Sequence, residues 1–273
     1  MDDPIARAVR FLEGADGLMI TAGAGMGVDS GLPDFRGDDG FWKAYPALAE
    51  AGISFESIAS PLKFKRNPAL AWGFYGHRLD LYRKTEPHKG FALLKVLAEK
   101  MPRGAFVVTS NVDGQFQKAG FPEQRLLEIH GSIHHLQCTE QCRQEIWPAD
   151  EIEPLIDEAK CLWCGDLPKC PYCGKLARPN ILMFYDAEWV QKRTARQREC
   201  LEYWQSSLNK MVVVELGAGT ALPTIRRFSL SRRCPVIRID PRNATLPPDA
   251  GVGLAMGARQ ALELIAAAMR LDI

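Results

Sequence analysis

Apolar and polar positions alternate along this chain between two kinds of segment. The first kind is a short run of mostly apolar, often β-branched residues that ends in glycine or small polar residues. "GLMITAGAG" starts at Gly17, "GAFVVTSNVDG" at Gly104, "RLLEIHGS" at Arg125, "MVVVELGAGT" at Met211 and "PVIRIDP" at Pro235. Runs of this length and composition read as strands covered on both faces. The second kind has a helical period, as in "PHKGFALLKVLAEK", with Pro87 near its start, and "GARQALELIAAAMRL" near the C-terminus. Strands that alternate with helices predict an α/β fold, a doubly wound, parallel, Rossmann-like sheet. Ligands of such sheets bind outside the carboxyl ends of the strands. The glycine turn at Gly23, "TSNVDG", "EIHGS" and "GAGT" all fall at that end.

Two segments break the alternation. Residues 41–84 read as helical and rich in aromatic residues, and residues 136–176 hold most of the cysteines. Both are expected to form a small inserted lobe: a helical module and a zinc-binding module. Residues 1–40, 85–135 and 177–273 then make up the large domain. The basic stretch "QKRTARQR" at 191–198 reads as a solvated helix face.

Composition narrows the function classes. Of 273 residues, 47% are hydrophobic and 25% charged, as in a packed soluble protein. The formal net charge of +1 provides no strong field for nucleic acid or a membrane surface. No apolar run reaches the length of a membrane span. The N-terminal segment lacks the apolar core of a signal peptide, so a cytoplasmic location is expected.

Six of the eight cysteines lie between Cys138 and Cys173 in paired spacing. Clustering without an export signal favours metal over disulfides. Cys138 and Cys142 form the first pair. Cys161 with Cys164, or Cys170 with Cys173, can supply the second, and generic zinc spacing favours the former. Four thiolates leave no open position, so the metal would be structural.

Gly23, Gly25 and Gly27 follow the first strand, in a turn that permits positive φ and lets backbone N–H groups approach a phosphate. The full G-x-G-x-x-G pattern is broken by Val28. "LGAGT", with Asp240 about twenty residues further on, reads as a second dinucleotide loop, with Asp240 on the adenosine ribose.

Residues 23–42, "GAGMGVDSGLPDFRGDDGFW", together with "TSNVDG", "EIHGS", the paired cysteines, "RPNILMFYD" and "GTA", resemble the sirtuin family of NAD-dependent protein-lysine deacylases. The resemblance runs over roughly residues 15–260. It implies that Gly23, Ala24 and Gly25 hold the NAD pyrophosphate and that Asp34, Phe35 and Arg36 fold over the cofactor. Phe35 would shield the reactive ribose carbon from water. Ser110, Asn111 and Asp113 would contact ribose and nicotinamide. Gly219, Thr220, Asp240 and Ala258 would complete the cofactor site. It also implies one structural zinc on Cys138, Cys142, Cys170 and Cys173, because "LPKCPYCGKLARP" matches the family's second knuckle.

His130 is then the catalytic base and Asn111 its companion. An imidazole near its ordinary pKa of about 6.5 suits proton transfer at neutral pH. The resemblance implies attack of the acyl oxygen on the ribose carbon bearing nicotinamide. His130 then deprotonates a ribose hydroxyl that captures the acyl group. Products would be free lysine, nicotinamide and O-acyl-ADP-ribose. His134 and His135 lie outside the motif and read as structural or exposed.

This chain departs from the family pattern at several positions. Ser110 stands for Gln, Gly27 and Ala221 for Ser, Asp240 for Asn, and Tyr185 for a glycine in the segment that pairs with substrate peptide. Tyr75 and Arg78 sit three apart on one helix face. They resemble the Tyr-x-x-Arg pair of the sirtuin class that removes succinyl and malonyl groups. The expected partner is an acylated-lysine protein or peptide. NAD glycohydrolase or ADP-ribosyltransferase activity and a non-catalytic NAD-sensing module stand as alternatives, distinguished by the products formed from NAD.

Overall fold

Eleven strands follow one another in chain order among the described residues: β1 (Gly17–Ala22), β2 (Ala105–Thr109), β3 (Leu126–Glu128), β4 (Gly131–Cys138), β5 (Ile146–Pro148), β6 (Ile156–Asp157), β7 (Leu162–Trp163), β8 (Ala177–Ile181), β9 (Met211–Leu216), β10 (Val236–Ile239) and β11 (Gly251–Leu254). The computed structural model describes residues 3–34, 37–247 and 249–271, with only the backbone at 37–39. Six parallel strands form the main sheet, in the order β11-β10-β9-β1-β2-β3.

The period of two puts successive side chains on opposite faces. Leu18, Ile20 and Ala22 of β1 enter one core with Leu12, Phe91 and Leu262, from the helices Pro4–Glu13, Lys89–Lys100 and Ala258–Ala268. Met19 enters the other core with Phe106, Val213 and Trp204, the last from the helix Lys192–Ser206. Helices on both faces explain why these strands read as continuous apolar runs. β11 escaped the sequence reading because its two glycines weaken a strand pattern.

The stretch 191–198 is helical from Lys192 onward, but its face is not wholly solvated. Thr194 and Gln197 are buried. Arg193 donates to Glu128 at 2.5 Å and to Glu123 at 2.9 Å, tying the helix to the end of β3.

A second layer stands beside the sheet. β4 pairs antiparallel with β5 and β8. Helices Gly37–Ala44, Pro46–Glu50, Phe55–Ile58, Pro61–Arg66 and Pro68–Lys84 pack around Phe41, Phe64, Trp72 and Phe74. The β6–β7 hairpin lies on the Pro68–Lys84 helix at Gly73, where an added Cβ would sit 1.9 Å from the Cys161 carbonyl oxygen. A glycine inside a helix costs about 0.5–1 kcal/mol against alanine, and here the contact requires it. Among the described residues no helix is long and apolar enough to cross a membrane.

Candidate active site

The strand order reverses between β1 and β9, which opens a crevice at their carboxyl ends. The loops after these two strands interlock. Gly25 N–H donates to the Gly217 carbonyl at 3.0 Å, and Gly23 N–H to Leu216 at 3.0 Å. A Cβ on Gly217, whose φ is +56°, would lie 2.3 Å from the Gly25 carbonyl carbon. The sequence reading expected glycines here for positive φ. Gly23 and Gly27 have φ of −112° and −79° instead. Loop-to-loop contact, not left-handed backbone, accounts for Gly23, where an added Cβ would lie 2.8 Å from the Gly217 carbonyl oxygen. Gly219 differs: a Cβ there meets nothing within 4 Å, and the residue faces the crevice. Bare backbone turned to open space is what a phosphate-bearing cofactor needs.

The crevice is a cleft of about 640 Å³, within the range of ligand sites. Gly23, Ala24, Asp34, Ser110, Asn111 and Asp113 line it, as do His130, Gly219 and Thr220. Tyr75 and Arg78 reach it from the Pro68–Lys84 helix. Phe35 and Arg36 lie outside the described residues. The exposed Arg242 faces the partly buried Asp34 at 3.7 Å, and both line the cleft.

Two expected cofactor contacts lie elsewhere. Asp240 is buried at the end of β10, where Oδ1 accepts from the N–H groups of Arg242 and Asn243 at 2.9 and 2.8 Å and Oδ2 faces Arg226 at 3.6 Å. Its carboxylate therefore shapes the turn that lines the cleft instead of lining it. Ala258 begins the Ala258–Ala268 helix with its side chain in the core.

One end of the cleft is built on the loops after β2 and β3. Asn111 donates from Nδ2 to the Gly23 carbonyl at 3.1 Å, joining the β2 loop to the glycine turn. Burial holds the His130 imidazole below its usual pKa, while a hydrogen bond with the Ser110 backbone acts the other way. The ring is therefore neutral at pH 7, the form a proton acceptor requires. Burial pushes the Asp113 carboxyl up to about 6; the backbone N–H of Gln115 opposes this and Glu128 adds to it. His134, read as structural or exposed, is structural: a bulge in β4 carries its Nε2 to 2.9 Å from the Asp113 carbonyl.

Tyr82 is a cleft residue that sequence reasoning missed. Its hydroxyl accepts from Arg78 Nε at 2.9 Å, and the Arg78 guanidinium lies 5.2–5.7 Å from the rings of Phe74, Tyr75 and Tyr82. The signal was present, since Tyr75, Arg78 and Tyr82 follow the i, i+3, i+7 spacing of one helix face.

The sulfurs of Cys138, Cys142, Cys170 and Cys173 all lie within 4.8 Å of one another. Cys138 to Cys173 and Cys142 to Cys170 each measure 3.6 Å. Tetrahedral zinc with bonds of about 2.3 Å sets sulfurs about 3.8 Å apart, so this set fits one zinc. Generic spacing had favoured the other pair. Cys161 instead belongs to the hairpin packed on Gly73, and burial pushes its thiol up to about 11.

A doubly wound sheet with its cleft at the switch point is the architecture of dinucleotide-binding proteins. The Sir2 family model matches residues 23–214. An NAD-dependent protein deacylase of Pyrococcus abyssi is 34% identical over 182 residues, 66% of this chain. The chain spans just under two thirds, 65%, of that relative's length. NAD-dependent protein deacylase 1 of Caldanaerobacter subterraneus is 30% identical over 250 residues, 88% of each protein. The structure of a Sir2 homologue bound to NAD superposes with a TM-score of 0.73 at 25% identity, covering 99% of this chain and 94% of the other. This chain belongs to the Sir2 family, the sirtuins.

Proposed function

We propose that this protein is an NAD-dependent protein-lysine deacylase that accepts acidic acyl groups such as succinyl and malonyl as well as acetyl. The observation that carries the reading is one cleft lined at once by the glycine loops, by Asn111, Asp113 and His130, and by Tyr75 and Arg78.

Gly23, Ala24, Gly219 and Thr220 would hold the dinucleotide by backbone, and Asp113 would hydrogen-bond its carboxamide. NAD supplies, when bound, a ribose carbon that loses nicotinamide and the hydroxyl that receives the acyl group. His130 accepts the proton of that hydroxyl on its neutral ring. Asn111, fixed against Gly23, orients the ribose or a water. Arg78, which lines the cleft, would meet the far end of the acyl group, where its guanidinium suits a carboxylate. Asp34 and Arg242 hold the cleft mouth.

Similarity to relatives named deacylases supports this reading. Among them is sirtuin-5 of Canis lupus familiaris, 32% identical over 182 residues, 61% of this chain and 55% of that one. The test is product analysis with acetyl- and succinyl-lysine peptides and NAD. O-acyl-ADP-ribose with free lysine is expected. Free ADP-ribose or protein-bound ADP-ribose would establish the glycohydrolase or transferase reading instead. Binding of NAD without turnover would establish a sensing module.

A further inference from the structure

Tyr185 stands in the left-handed region, with φ of +56°, where a bulky residue is disfavoured. It is 87% exposed, so no packing explains it. Its hydroxyl nevertheless donates to Glu56 Oε1 at 2.5 Å, reaching the Phe55–Ile58 helix on the facing wall. The bond crosses a groove of about 470 Å³ that also contains Leu62, Lys65 and Glu188. Phe184 lines both this groove and the main cleft. A polypeptide whose lysine enters the cleft therefore brings its neighbouring residues to the groove.

Charge indicates what they should be. Lys65 is neutralised by Glu188 at 2.7 Å. Glu56 has no cationic partner among the described residues, so the groove presents one negative charge. The half-exposed Leu62 and the Tyr185 ring offer apolar surface for a long stem.

We propose that Tyr185 and Glu56 form a subsite that takes an arginine or lysine side chain flanking the acylated lysine of the substrate. This rests on the deacylase reading and adds a specificity determinant to it. Arginine should be favoured over lysine, because its flat group stacks on an aromatic face.

The test uses the full chain with peptides that place Arg or Glu on either side of the acyl-lysine, beside a single Nα-blocked acyl-lysine. Wild type should prefer the Arg-flanked peptide in kcat/KM by about two- to fivefold, the scale of an exposed ion pair. Glu56→Gln and Tyr185→Gly should lose that preference, mainly through KM, and Glu56→Gln should turn over the single residue as wild type does. Equal use of Arg and Glu peptides by wild type, or a preference that survives Glu56→Gln, overturns the subsite. Binding of the same peptides without the acyl group, followed by fluorescence anisotropy, separates the two readings. If no acyl-lysine is turned over, the deacylase reading fails, and the Arg-over-Glu binding ratio, with its loss in Glu56→Gln, still decides the subsite.

Discussion

Arg178 Nη1 and Nη2 donate to Asp186 Oδ2 and Oδ1 at 2.7 and 2.9 Å, both side chains shut away from solvent. The same carboxylate accepts from the N–H groups of Met183 and Glu188 at 3.2 and 3.1 Å. One carboxylate thus folds residues 183–188 into the turn that shows Phe184 to the cleft and Tyr185 to the groove. Leu182 N–H, donating to the His130 carbonyl at 2.9 Å, fastens this turn to the loop after β3.

Removing one partner of a buried pair leaves the other uncompensated. Asp186→Ala should therefore cost about 3–5 kcal/mol of stability. Urea unfolding of mutant and wild type measures it. A loss below about 1 kcal/mol would show that the turn holds without the pair.

His130→Ala should lower deacylation by about 10²–10⁴-fold, the usual share of general-base catalysis, yet leave NAD binding measurable by calorimetry. As the proposed base His130 would act in its neutral form, so kcat/KM should rise with pH through the His130 pKa and level off above it. Burial places that limb below 6.5. Asp113, raised to about 6, titrates nearby. Asp113→Asn should leave the His130 limb in place, whereas a limb above 6.5 would contradict a buried base.

Arg78→Met should lose about 10–150-fold in kcat/KM on succinyl-lysine, the worth of a hydrogen bond to a charged group. Acetyl-lysine, with no distal carboxylate, should change little. Equal losses on both substrates would make Arg78 a scaffold residue held by Tyr82, and the acidic-acyl preference would fall.

Metal analysis should find one zinc per chain. Cys170→Ser should release it and loosen the link between β4 and β8, because Cys138 ends β4 and Ala177 begins β8. Cys161→Ser should keep the metal. Plasma emission spectrometry of the two variants decides, and retention of zinc by Cys170→Ser alone would reverse the assignment.

Local pattern was enough for much of this protein. Continuous apolar runs and helical periods marked five of the six main strands and the long helices, since burial on both faces of a sheet demands unbroken apolar runs. The motif residues at strand ends were legible for the same reason: each lies within a few positions of the strand that carries it. What the sequence left open depended on residues distant along the chain. Glu215 and Arg238 interrupt two apolar runs, and only the β9–β10 register shows them opposite each other, paired at 2.5 Å and buried. Asp240 matched a ribose contact by spacing, but the turn after it takes Oδ1 and Arg226 faces Oδ2. Residue counts favoured Cys161 with Cys164 and the motif around Cys170 and Cys173 favoured that pair; the pairing of β4 with β8 brings the latter to Cys138 and Cys142. Gly25 and Gly217 face each other only because β1 and β9 are adjacent at the reversal of strand order. Periodicity encodes which side of an element is buried; pairing, register and loop contact decide what each buried or functional side chain meets.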